Sequence, residues 1–504
     1  MSSGSASSDG GATAAKIAGG SSIVFAGGIV DKGLRFVIQW FLSGALGAEL
    51  FGLFTWAVTW GATLSSVTPL GLDTGVVFFT ARYRKSGEKE REKAALLFGF
   101  AVSLVVGLLA SLGLVVAGPH LGDSAQQSRA LMWTAAILLP WTPLLYLVGA
   151  LRSVKDMRRS VLAFQIVLPF AFLVGAFSLV YAGWGLDGAF FALALATTIG
   201  MVAAARFAWS HFAPLLTDRS VRPGWEPRHL LRFSIPQGLT AAAFRLNARM
   251  DVLMLVALAT EAEAGIYAIA AGLAAFGTLP SNAVASMFNP FIAELVYVGE
   301  TERLDRLLKT VTRWLVVVSA PVYMALLVLP DVILDIYEPV YAAALVPLLL
   351  LVAGQAVQTA CAPTMRLIPM SGHSMLNLVN GVAALILNVA LNAWLIPRMG
   401  AEGAALATGI TLAAWSAWRV VEVRWLLGCF PFDLRTVAVL GVATTGGLGA
   451  RWLGADHGIV HRLALLTAAL LALGTAVVAV CRTPEDRALL DRVTRRFRRK
   501  GASK

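Results

Sequence analysis

The stretch SSIVFAGGIVDKGLRFVIQWFLS, residues 21–43, is apolar enough to cross a bilayer yet carries Asp31, Lys32, Arg35 and Gln39 near its middle. A helix rises 1.5 Å per residue, so about 20 residues span a hydrocarbon core roughly 30 Å thick. A charge at the bilayer centre costs roughly 2.5 to 3.5 kcal/mol on insertion scales, so a helix that keeps three of them faces water or a ligand rather than lipid. At 100° per residue, Arg35, Gln39 and Lys32 fall about 40°, 80° and 100° from Asp31, on one narrow face. This segment predicts a helical membrane bundle around a polar cavity.

Thirteen further stretches have the same character: 49–72, 94–118, 129–150, 160–182, 186–209, 234–258, 265–291, 313–333, 340–362, 375–397, 401–425, 436–455 and 461–481. None alternates as a barrel strand does. The chain has 504 residues, 58% hydrophobic and 14% charged, and a mean hydropathy of +0.73. The fold class expected is an all-α integral membrane protein of about 14 transmembrane helices.

The net charge of +12 does not point to nucleic acid, because the basic residues sit in membrane loops. If the N-terminus is cytoplasmic, 33 of the 41 Lys and Arg fall in segments on that side, four on the other and four within spans. That bias predicts both termini inside. The first twenty residues read as a disordered cytoplasmic lead, and the basic tail 482–504 as a segment resting on anionic headgroups. His457 and His461 lack a third metal ligand, Cys361, Cys429 and Cys481 are isolated, and no Walker A, HExxH or GxSxG motif occurs. Neither a metal nor an organic cofactor is expected, nor is an ATP-driven pump or a hydrolase.

In the seventh span Arg245 and Arg249 lie about 40° apart on an ideal helix, while Asp251 looks toward a different neighbour. Four cations against Asp31 and Asp251 leave a positive surplus, which favours an anionic ligand over a purely structural network. Asn282, Asn289, Gln355, Gln39, Trp56 and Trp60 are candidate glycan contacts, although amides and indoles serve helix packing as readily. Placing Gly52 on Gly265, an offset of 213, brings Lys32 onto Arg245 and suggests an internal duplication.

Three stretches carry a resemblance that covers essentially the whole chain: LGAELFGLFTW (46–56), PLGLDTGVVFFTARYRKSGE (69–88) and FSIPQGLTAAAFRLNARMDVLMLVALATEAEAGIYAIA (233–270). In the last, the spacing of Pro236, Asp251 and Gly265 is the most specific feature. The chain resembles the polysaccharide transporters of the multidrug, oligosaccharidyl-lipid and polysaccharide exporter superfamily, including Wzx-type O-antigen flippases. The resemblance implies two six-helix lobes, 21–212 and 234–425, around a central cavity, joined by a cytoplasmic loop at 213–233 and followed by two extra helices within 436–481. It implies a flippase, not an enzyme, that moves polyprenyl-pyrophosphate-linked oligosaccharide from the cytoplasmic to the outer leaflet by alternating access. Surface polysaccharide or lipopolysaccharide O-antigen synthesis is the expected pathway, in a bacterial inner membrane, with a polysaccharide polymerase and other assembly proteins as partners. Lys32, Arg35, Arg245 and Arg249 would bind the pyrophosphate, and Asp31 and Asp251 would serve as coupling or salt-bridge groups, for a proton or sodium gradient in the first case. The arginine- and asparagine-rich signatures expected after the first span of lipid II flippases are missing. Two alternatives stay open: a cation-coupled multidrug exporter of the same fold, and a non-transporting subunit of a polysaccharide-assembly complex.

Overall fold

The computed structural model describes residues 5–281, 295, 300–371, 373–455 and 457–480, and among these there is no strand. Among the described residues, nine helical stretches are long and apolar enough to cross a membrane. Three of them, Ala26–Ser86, Met157–Thr217 and Met375–Leu427, run 61, 61 and 53 residues, enough for two crossings each. Twelve crossings result, and the helices around 227–258 and Leu434–Gly454 add two more.

Each double-length stretch turns at a glycine. The first helix, α1 (Ser5–Val67), begins inside the stretch expected to be disordered and reverses at Gly47, whose φ of 74° suits only a residue without Cβ. The same role falls to Gly183 and Gly185 in the fifth and sixth crossings, and to Gly400 within Ser374–Leu427. Gly185 (φ 52°, ψ −132°) and Gly400 (φ 54°, ψ −130°) share one backbone conformation. The residues that follow share one pattern, Gly185-Leu-Asp187-Gly188-Ala189 and Gly400-Ala-Glu402-Gly403-Ala404.

One helix shows how lipid-facing and packed faces divide. On α3 (Lys89–Leu121) the buried residues include Gly99, Ser103, Gly107 and Ser111, four apart. Its exposed stripe is Val105, Leu109, Leu112 and Val116, up to 72% exposed. Small residues let helix backbones approach closely where lipid supplies no hydrophobic drive, while large aliphatics meet the acyl chains. The small-residue face receives α4 (Ala125–Ser153): Tyr146 lies against Gly99, and Thr142 lies 3.1 Å from where a Cβ on Gly107 would stand.

The chain divides into two compact units. The first comprises Met1–Gly272, Ile336–Pro347 and Gly381–Ala407; the second comprises Leu273–Asp335, Leu348–Asn380 and Thr408–Lys504. In the second, Val316, Ala320 and Met324 of Thr301–Val328 bury against Val439 and Ala443 of Leu434–Gly454 and Leu466 and Leu473 of Ile459–Val480. Here Arg313, 2% exposed, pairs with Asp433 at 2.8 Å. Arg419, 1% exposed, stacks 4.4 Å from the Trp415 ring centroid and donates to Asn377 Oδ1 at 2.9 Å.

Candidate functional site

Within the first unit, α2 (Leu72–Ser86) starts after a left-handed turn at Leu70 and Gly71. A Cβ on Gly71 would collide with the Ser234 carbonyl and lie 2.6 Å from the Gly238 nitrogen. The stretches PLGLDTG (69–75) and SIPQG (234–238) therefore meet backbone to backbone, the second lying on α5 (Pro227–Asn247). The contact sets Asp73, in the first turn of α2, in the wall of a cavity that also carries several cations. There the unpaired N–H groups of a helix start favour a carboxylate.

The cavity holds about 1150 Å³. Its charged lining is Arg82, Lys85, Arg152, Arg245 and Arg249 against the one carboxylate of Asp73, with Ser65, Ser66 and Gln237 as neutral polar groups and Trp141, Phe78 and Phe164 as apolar ones. Arg245 lies 3.9 Å from Asp73, a loose ion pair. Arg152 donates to Ser160 Oγ at 3.2 Å and feels the charges of Asp73 and Arg245. Arg249 feels the like charges of Arg35 and Arg245. Five guanidinium or ammonium groups around one carboxylate make a surface for a multivalent anion, because charge-assisted hydrogen bonds are about twice as strong as neutral ones.

The route by which Arg245 and Arg249 meet differs from the sequence expectation. The helix over 234–258 breaks after Asn247 and resumes at Met250. Arg249 has φ −136° and ψ −6°, outside the helix, so ideal helical angles do not relate the two residues. An unbroken helix would stack two like charges one turn apart, a placement unfavourable by about 0.2–0.5 kcal/mol.

On α1, Arg35 Nε donates to both oxygens of Asp31, at 2.9 and 3.0 Å. Lys32 is half-buried beside the pair and feels both charges. Neither Lys32 nor Arg35 lines the cavity, although Arg35 reaches Arg249 electrostatically. Gln39 donates to the Ala268 carbonyl at 2.6 Å. Trp56 is buried, edge-on to Trp60 at 6.5 Å between centroids. Gln355 belongs to the second unit, where its backbone carbonyl accepts from the Tyr323 hydroxyl at 3.1 Å. Asn282, Asn289 and the basic tail lie outside the described residues.

Asp251 is 3% exposed and is not part of the cavity lining. It accepts from the Tyr267 hydroxyl at 2.6 Å and from Asn392 Nδ2 at 2.8 Å. Asn392 also donates to Asn388 Oδ1 at 2.9 Å. An intramembrane carboxylate with a phenol and an amide among its donors is a place where a proton or a small cation can sit.

Asp73, Arg82, Lys85 and Arg152 were not among the residues singled out from sequence. Asp73 falls one residue past the expected second span, and the three cations fall in basic loops. The available signal was the lone Asp within PLGLDTG, a carboxylate directly after a glycine turn.

A family model described as polysaccharide biosynthesis protein matches residues 17–296. Among solved structures, the lipid II flippase MurJ in an inward closed conformation superposes with a TM-score of 0.71 at 12% identity, covering 91% of this chain and 99% of that one. An inward-facing multidrug resistance MATE family transporter of the MOP superfamily gives 0.65 at 15% identity, over 79% and 94%. A MOP superfamily transporter from Pyrococcus furiosus, noted for the reversed polarity of its binding pocket, gives 0.60 at 16%, over 82% and 95%. No curated protein sequence matches. The fold is thus that of the MOP superfamily.

Proposed function

We propose a lipid-linked glycan flippase: the chain belongs to the polysaccharide biosynthesis protein family, and its cavity carries the charge that a pyrophosphate needs. The carrying observation is the lining of Arg82, Lys85, Arg152, Arg245 and Arg249 around the single carboxylate of Asp73. Arginine forks bind phosphate oxygens two at a time, and a pyrophosphate offers several such oxygens. A cationic drug would meet net repulsion in the same cavity, which argues against the multidrug alternative.

In this reading the cargo is a polyprenyl-pyrophosphate-linked oligosaccharide destined for surface polysaccharide or O-antigen, carried from the cytoplasmic to the outer leaflet of a bacterial inner membrane. Both termini lie in the cytoplasm, and a polymerase and other assembly proteins receive the product. The cavity extends to Arg82 and Lys85 at the basic end of α2. At the opposite end Gln127 holds Glu261 at 2.9 Å. Cargo enters from the basic side, and loosening of the opposite contacts releases it, which is alternating access. Asp251 is the coupling group we favour, with protonation or cation binding altering its grip on Tyr267 and Asn392.

The experiment is translocation of polyprenyl-pyrophosphate-linked oligosaccharide by purified protein in liposomes, followed by access of an external glycosidase. Wild-type protein should expose the glycan, whereas the folded triple variant Arg152→Ala, Arg245→Ala, Arg249→Ala should not. Equal rates in protein-containing and empty vesicles would overturn the reading.

A further inference from the structure

We propose a second subsite in the first unit, an aromatic platform that takes one sugar ring of the glycan; the proposal rests on the flippase reading above. A cleft of about 520 Å³ is lined by Trp40, Phe41, Tyr181, Ile336, Tyr337 and Glu338, among others. These residues close the first, fifth and ninth crossings, so they share the end of the bundle opposite Arg82 and Lys85.

Trp40 is 45% exposed, yet its Nε1 donates to the Ile336 carbonyl at 2.9 Å, which fixes the plane of an open indole face. Tyr181 is 81% exposed and is backed by Phe177 in a stacked pair at 5.6 Å. Glu338 is exposed on the same cleft, and the Tyr337 hydroxyl is buried without a hydrogen-bond partner among the described residues.

Rigid aromatic faces beside a carboxylate suit a neutral or N-acetylated hexose: its C–H face stacks on the rings and its hydroxyls donate to the carboxylate. Acyl chains need no fixed carboxylate, and an acidic sugar would be repelled by Glu338. Aromatic residues also gather at membrane interfaces for lipid contact alone. That occupant predicts a different result in the test.

The test compares two probes on purified protein in lipid nanodiscs: polyprenyl pyrophosphate carrying an oligosaccharide of N-acetylhexosamines, long enough to reach the cleft from the pyrophosphate cavity, and polyprenyl pyrophosphate without sugar. Wild-type protein should bind the glycosylated probe roughly fivefold more tightly, the fold-change of a stacked pair. The double variant Tyr181→Ala, Glu338→Gln changes two exposed side chains and should bind both probes alike. Equal binding of both probes to wild type would overturn the subsite while leaving the pyrophosphate site intact. A preference that survives in the variant would overturn it too. Binding of neither probe would defeat the flippase reading and the subsite with it.

Discussion

Gly52 and Gly265, 213 residues apart, pack against each other through reciprocal contacts in the first unit. A Cβ on Gly52 would strike the Glu261 carbonyl, and a Cβ on Gly265 would strike the Ala48 carbonyl. Ala48 and Glu261 are themselves 213 apart, so each glycine meets the residue that corresponds to its partner's own neighbour. Self-complementary exchange of this kind is what a two-fold relation between similar segments produces at its axis. The matched turns at Gly185 and Gly400, 215 apart with nearly identical φ and ψ, support a duplication independently.

The close approach predicts a stability effect. Gly52→Val should destabilise the protein by about 1–3 kcal/mol, because the colliding atoms are backbone and cannot swing aside. Thermal unfolding in detergent reads this as a lower midpoint than Gly44→Val, since a Cβ on Gly44 meets nothing within 4 Å. Equal midpoints for the two variants would refute the contact.

The architecture was largely legible in residues such as those of the first span, because a polar face on an apolar helix leaves few alternatives in a bilayer. The pairing of Gly52 with Gly265 was legible as an offset of 213, whereas the matching Gly-x-Asp/Glu-Gly-Ala turns at 185 and 400 were not among the signals drawn from the sequence. The site was only half legible. Hydropathy places a residue along the chain but not in depth or azimuth, so Arg152 reads as a loop cation although it lines a cavity. Periodicity assumes an unbroken helix, and Arg249 sits where the helix breaks.

A second prediction concerns pH. Burial alone would raise the Asp156 carboxyl, but the Arg159 N–H at 3.0 Å and His211 Nε2 at 2.8 Å, with the charges of both residues, hold it below the ordinary range. A carboxyl depressed in the folded state stabilises the fold above its unfolded pKa of about 3.9, and that contribution is lost as pH falls through the folded value. Asp156→Asn should therefore lower the melting midpoint at pH 7, with the difference from wild type shrinking below about pH 4. A difference that stays constant down to acid pH would exclude this linkage.

The last prediction separates binding from release in the cavity. Arg249→Ala removes a guanidinium from the lining, and hydrogen bonds to charged groups contribute about 1.5–3 kcal/mol, so affinity for a lipid pyrophosphate should fall roughly ten- to hundredfold. Arg249→Lys should recover part of it, keeping the charge without the planar fork. Asp73→Asn should act in the opposite sense. Asp73 is the one carboxylate in the lining and lies 3.9 Å from Arg245, so neutralising it leaves the cavity more positive and its arginine uncommitted. Tighter binding of the lipid pyrophosphate is expected together with slower translocation, because the anion that would displace cargo from Arg245 is gone. Binding isotherms and vesicle translocation rates on the same preparations decide the matter, and a variant that binds more weakly than wild type would show that Asp73 does not compete with the cargo for Arg245.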